Sequence, residues 1–214
     1  MLAIADMQEV VAWLRRLFID LDTRVFDEVR TNPTATLPGA IVAAVSILIS
    51  GLGGWLWWVL NDFPNSSDVL VNSAFLGSIL AFVLWGLVWL GIVYVMLTQV
   101  FRERAYVEQL LRVMGLAASP LAIMGLMFIP GLSLAIGLAS LGLTFGLTNV
   151  AVRSVTTADP ARVLVSNFVG FFVWSAVLTL LASASATTVE PHAPGIFLFN
   201  SVTSIASDVF SITT

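Results

Sequence analysis

The sequence contains no cysteine and no lysine, one histidine, and charged residues at only 10% of its 214 positions. Without cysteine there is neither a disulfide framework nor a thiolate metal site. All nine basic residues are arginine and the formal net charge is −4, so no basic face marks a nucleic-acid binder. An average soluble domain carries roughly 25% charged residues. A tenth is too little to wet the surface of a 23.0 kDa globule. What the chain does have is apolar: 58% hydrophobic residues, 14 Phe, 7 Trp and a mean hydropathy of +0.98. The expected fold class is an all-α integral membrane bundle, and soluble enzymes fall outside these bounds.

Crossing a hydrocarbon core of about 30 Å takes roughly 20 apolar residues at 1.5 Å each. Stretches free of ionisable side chains run from Pro38 to Asn61, Val69 to Phe101, Val113 to Val152 and Val163 to Val189. The third would be about 60 Å long as one helix, twice a bilayer. Pro130 and Gly131 lie near its middle, where a missing amide and a permissive backbone favour a hairpin turn. Five spans follow, at about 38–60, 73–100, 113–129, 132–152 and 163–183.

The arginines give an independent check. Arg15, Arg16, Arg24 and Arg30 precede the first span, Arg102, Arg104 and Arg112 separate the second and third, and Arg153 and Arg162 separate the fourth and fifth. The positive-inside rule then places the N-terminus in the cytoplasm and the C-terminus outside, with every arginine on one face. Trp55, Trp57 and Trp58 cluster at the outer end of the first span, where amphipathic rings suit the headgroup layer.

Residues 1–33 form an arm ahead of the 34–186 span region, and 187–214 form a polar tail. The arm lacks the charge pattern and apolar core of a signal peptide. Met7, Val10, Val11, Leu14, Leu17, Phe18, Leu21, Val25 and Phe26 recur at three- and four-residue steps. That periodicity predicts an amphipathic helix on the cytoplasmic leaflet, or one buried by a partner, before the chain turns in at Asn32 and Pro33. The tail is expected to fold back on the outer surface or to dock on another subunit.

Chemistry is sparse. His192, beside Glu190 in the tail, stands alone and makes no metal site. The spans hold no ionisable group for ion coupling, and no His or paired Asp for hydrolysis. A non-enzymatic protein without metal or cofactor is expected. The polar groups expected to be buried in the spans include Ser46, Ser50, Ser78, Ser119, Ser140, Thr144, Thr148, Asn149, Asn167, Ser175 and Thr179. Each is expected to bond within or between helices. Asn149 and Asn167 have the most to lose if unpaired. The rival use of this set is to line an uncharged polar cavity for lipid or solute.

Trp85 and Trp89, at i,i+4 spacing in mid-span, read as packing against a neighbouring helix. With Phe82 they would otherwise form a face for a pigment or quinone. Gly142 and Gly146 make a GxxxG pair in the fourth span, with Ala135 and Ala139 one stripe earlier. Small residues let helix backbones approach, which suits a compact bundle or a docking face. Lipid, other membrane subunits or a second copy are therefore the expected partners.

The stretches Phe26 to Pro33 (FDEVRTNP) and Leu110 to Pro120 (LLRVMGLAASP) resemble the Yip1-domain family, and 151–155 with 161–163 resemble its bacterial members. The resemblance covers residues 22–183. It implies an acidic amphipathic lead-in ending at Asn32-Pro33, two spans, a cytoplasmic arginine element, a tight two-span hairpin and a closing span. It also implies structural roles for Gly115, Pro120 and Pro130, at a helix start, a kink and a hairpin. Arg112 would cap carbonyls or meet lipid phosphate. Eukaryotic members act in membrane trafficking, and bacterial members have no agreed activity. The implied location is a bacterial inner membrane.

Overall fold

A computed structural model describes residues 3–60, 66–129 and 131–185. Pro130, His192, Glu190 and the 187–214 tail lie outside the described residues. No strand occurs among those described. Two short helices come first, α1 (Ala3–Phe18) and α2 (Val25–Thr31). Five long ones follow: α3 (Thr36–Leu60), α4 (Ser66–Val100), α5 (Val107–Leu126), α6 (Ser133–Val155) and α7 (Pro160–Ser185). All five are long and apolar enough to cross a membrane, as the hydrophobic runs require.

The arm departs from expectation. The apolar stripe runs on without a break in the sequence, yet the helix stops at Phe18 and Leu21 takes the left-handed conformation (φ 51°). A leucine here makes the reversal that glycine or asparagine usually makes after a helix. Folding α2 back buries Val25, Phe26 and Val29, and paired polar side chains hold the reversal. It brings Glu28 to Arg16 (2.6 Å) and to the Trp13 indole N–H (2.9 Å), while Asp22 in the turn reaches Arg16 at 2.9 Å. The stripe is thereby divided: Val10, Trp13 and Leu17 are buried, whereas Met7, Val11 and Phe18 stay exposed.

Asn32 and Pro33 start the first span. Pre-proline sterics keep Asn32 extended (φ −88°, ψ 107°), and its side-chain oxygen accepts from the Thr34 N–H at 3.0 Å. Pro33 occupies the first helical position, where its missing N–H is no loss. The chain enters a 3-10 turn and then α3.

The third span is short by residue count, and its geometry compensates. After the α-helical stretch Val107–Ala117, residues Ser119–Leu126 continue as a 3-10 helix, which rises about 2.0 Å per residue instead of 1.5 Å. The change falls at Pro120. With no Pro120 N–H to bond the Leu116 carbonyl, the Ser119 hydroxyl donates to it at 2.6 Å. The kink expected at Pro120 is therefore a change of helix type. Beyond it, Gly131 adopts φ 76° and the Leu132 N–H donates to Ile129 O at 3.2 Å, closing the expected turn. By contrast α4 is long for a bilayer, and π-helical turns at Val69–Leu76, Trp85–Leu90 and Met96–Val100 interrupt it. Such widened turns tend to mark functional or tightly packed positions.

The chain divides into two compact units. One comprises Met1–Ala43, Trp85–Ser119 and Thr144–Phe172, and the other Ala44–Leu84, Pro120–Leu143 and the rest. The first contains the arm and an apolar core of Phe26, Val93, Leu97, Leu110 and Met114. In the second, Trp174 donates its indole N–H to Ala81 O (3.2 Å) and Ser140 donates to Pro120 O (2.7 Å). There the Gly53 backbone lies so close to Met124 and Gly125 that no Cβ would fit.

Candidate interaction site

Two arginines in the first unit act on helix C-termini. The Arg112 Nε donates to Thr36 Oγ1 at 2.7 Å and its Nη1 to the Arg30 carbonyl at 3.0 Å. Arg30 in turn donates from Nη1 to the Ser154 carbonyl at 2.5 Å. Carbonyls in a helix's last turn lack intrahelical donors and carry the negative end of the dipole, so a guanidinium satisfies both needs. Arg112 thus ties the end of α2 and the start of α3 to α5, and Arg30 ties α2 to the end of α6. The buried Arg30 Nε has no hydrogen-bond partner among the described residues and faces Asp27 at 3.5 Å.

Gly115 lies one turn from Arg112. A Cβ there would stand 2.4 Å from Gly39 O, and one on Gly39 would stand 2.9 Å from Arg112 O. The two backbones touch, so Gly115 serves a helix crossing rather than a helix start. Gly39 has no marking in the sequence beyond being a glycine.

In the arm, the Glu28 carboxyl is held below its ordinary range, first by the Trp13 N–H and then by Arg16; Asp22 is lowered by Arg16 and then by the Arg24 N–H. Arg16 is raised correspondingly by Glu28 and Asp22. A depressed carboxyl stabilises the folded form above its unfolded pKa, and this contribution disappears as pH falls through the folded value. Acidification through the carboxylate range should therefore loosen α1 from α2, whereas mild alkali should not. Limited proteolysis in the 19–24 turn, measured against pH, tests this: cleavage should rise only on the acid side.

Trp85 and Trp89 are both buried within the first unit. The Trp89 indole N–H donates to Asn167 Oδ1 at 2.9 Å, the Asn167 amide donates to Phe145 O at 3.1 Å, and Phe171 meets the Trp89 ring edge-on at 5.0 Å. Gly170, one turn after Asn167, makes room, since a Cβ there would lie 2.8 Å from the Trp89 ring and carbonyl. Trp89 thus packs against α7, and Asn167 supplies the acceptor for its indole N–H. Replacing Asn167 by leucine leaves a buried indole N–H without an acceptor and should cost about 1 kcal/mol. Thermal unfolding in detergent measures it, and Trp89→Phe in the same background should recover part of the loss.

Asn149 departs from expectation. Its Oδ1 is buried and has no hydrogen-bond partner among the described residues, and nothing in the structure explains it. Several span hydroxyls donate to backbone carbonyls, Ser78 to Ile47 O at 3.4 Å and Thr179 to Ser175 O at 2.8 Å among them. Ser50 contacts Met124 Sδ at 3.1 Å, beside a small crevice whose other walls are Ile47, Ala81, Leu121, Leu141 and Trp174. That crevice is apolar.

Gly142 and Gly146 meet no neighbouring helix among the described residues. Both are exposed, a Cβ on either would meet nothing within 4 Å there, and Ala135 and Ala139 on the same helix are exposed as well. Among the described residues no group of acids and histidines could hold a metal ion.

These features describe an all-helical chain, among the described residues, with five helices long and apolar enough to cross a membrane, packed through arginine caps, glycine crossings and a Trp–Asn node. No family model, curated protein or solved structure matches the chain. The likeness to the Yip1-domain family rests on the order of spans and the short motifs.

Proposed function

We propose that this protein is a non-enzymatic scaffold or accessory subunit of a membrane assembly, of Yip1-like type, in a bacterial inner membrane with its N-terminus in the cytoplasm. The observation that carries this reading is the face of α6. Gly142 and Gly146, with Ala135 and Ala139, form a small-residue ridge along α6, and a Cβ at Gly142 or Gly146 would meet nothing within 4 Å among the described residues. Glycines at Gly39, Gly53, Gly115 and Gly170, by contrast, stand against neighbouring atoms. In lipid, where apolar area gives little drive for helices to associate, such a ridge lets a further helix approach closely. Purification in mild detergent tests the reading. The wild type should run as a complex, with other subunits or a second copy, and Gly146→Leu should release a folded single chain. A lone wild-type monomer under conditions that preserve known membrane complexes would refute it.

A further inference from the structure

The arm presents an apolar surface that its own fold does not use. On α1 the buried residues Val10, Trp13 and Leu17 make one edge of the apolar arc, and the exposed Met7, Val11 and Phe18 make the other. The exposed edge continues into the turn, where Ile19 is 70% and Leu21 79% exposed. Leu21 is the residue in left-handed conformation, so a large apolar side chain stands at the tip of a tight reversal. The ridge is convex, unlike a groove that receives a partner side chain.

The arm is also fixed where the first span begins. Trp13 and Arg16 hold α1 to Glu28 of α2, Asn32 bonds Glu9 of α1 at 3.2 Å, and Arg112 joins the Arg30 carbonyl in the last turn of α2 to Thr36, the first residue of α3. A ridge tethered within a few residues of a membrane span has lipid beside it at very high effective concentration. The geometry points to insertion of this ridge (Met7, Val11, Phe18, Ile19 and Leu21) into the leaflet from which the first span enters, as a shallow hydrophobic wedge recognising lipid acyl chains. The inference rests on the membrane reading of the five long helices.

Charge sets the mode of binding. Residues 1–30 carry six acids against four arginines, and Arg16 is engaged by Asp22 and Glu28. The arm therefore lacks the basic face that draws interfacial helices to anionic headgroups. Apolar burial drives the insertion, and it is indifferent to lipid charge and to salt.

The absence of cysteine makes the test direct. Single cysteines at positions 7, 11, 18 and 21 of the full chain, labelled with a fluorophore after reconstitution in phosphatidylcholine vesicles, should be quenched severalfold more by a nitroxide lipid than by aqueous iodide. Labels at the exposed Gln8 and Ala12, on the other side of α1, should show the reverse. Adding anionic lipid should leave both patterns unchanged. Iodide quenching of the ridge equal to that at Gln8 would overturn the inference, and so would protection from both quenchers, which would mean a protein partner or second copy covers the ridge. Labels at the exposed Leu87 and Phe172 of the long helices separate the two levels. If those escape the lipid quencher, the membrane reading itself fails; if they are quenched and the ridge is not, the wedge alone fails.

Discussion

Replacing Gly115 by leucine should destabilise the protein in detergent more than any other single substitution described above. The expected penalty is about 3 kcal/mol, at the upper end of what overpacking costs. In a chain of this size that is a fall of roughly 10 °C in Tm. The cause is local and rigid: the new Cβ would meet the Gly39 carbonyl at 2.4 Å, and backbone has no rotamer to move to. Gly115→Ala already carries that Cβ and should be nearly as harmful, so the loss should not scale with side-chain size. Gly142→Ala is the contrasting control. It meets nothing within 4 Å and replaces a poor helix former by the best one, so it should be neutral or slightly stabilising.

Arg112→Met should rank second, at about 2–3 kcal/mol. The substitution retains the apolar stem and deletes two charge-assisted hydrogen bonds, leaving the Arg30 carbonyl at the end of α2 without its side-chain donor. Arg112→Lys separates charge from geometry. A lysine keeps the cation, but a single ammonium lacks the fork that serves Thr36 and Arg30 from two separate nitrogens. It should recover less than half of the loss in thermal unfolding. Full rescue by lysine would mean that charge at the helix end is what matters and that the two-point tie is incidental.

The spans and their turns were legible in the sequence because each depends on local chemistry. Uncharged runs of the right length gave five long helices, the Pro130-Gly131 pair marked the turn where Gly131 is left-handed, and Asn32-Pro33 marked a helix start. Pro120 was visible as a disruption. Its outcome, a run of 3-10 helix with Ser119 taking over the Leu116 carbonyl, depends on a neighbour's hydroxyl and was not foreseen.

What stayed hidden were facts about pairs. Gly39 and Gly115 are ordinary small residues until α3 and α5 are placed side by side, and nothing local says that Gly115 meets a backbone whereas Gly146 meets open surface. Asn167 could be marked as needing a partner, but not that the partner would be Trp89. The break in the arm was masked because the apolar periodicity continues across residues 18–22. The reversal is held by the burial of Val25, Phe26 and Val29 and by Arg16, Asp22 and Glu28, whose contacts form only once α2 has folded back.

The nine arginines tie the sequence pattern to the arrangement of the spans, and their sidedness is directly measurable. Single cysteines at Asp20, Glu103 and Asp159, in the arm and in the segments joining α4 to α5 and α6 to α7, should react with a membrane-impermeant maleimide only from the cytoplasmic side of oriented vesicles. Cysteines at Ser67 and Leu132 should react only from the opposite side. Labelling of Glu103 and Asp159 from different sides, or of Ser67 from the same side as Asp20, would contradict five spans with every arginine on one face.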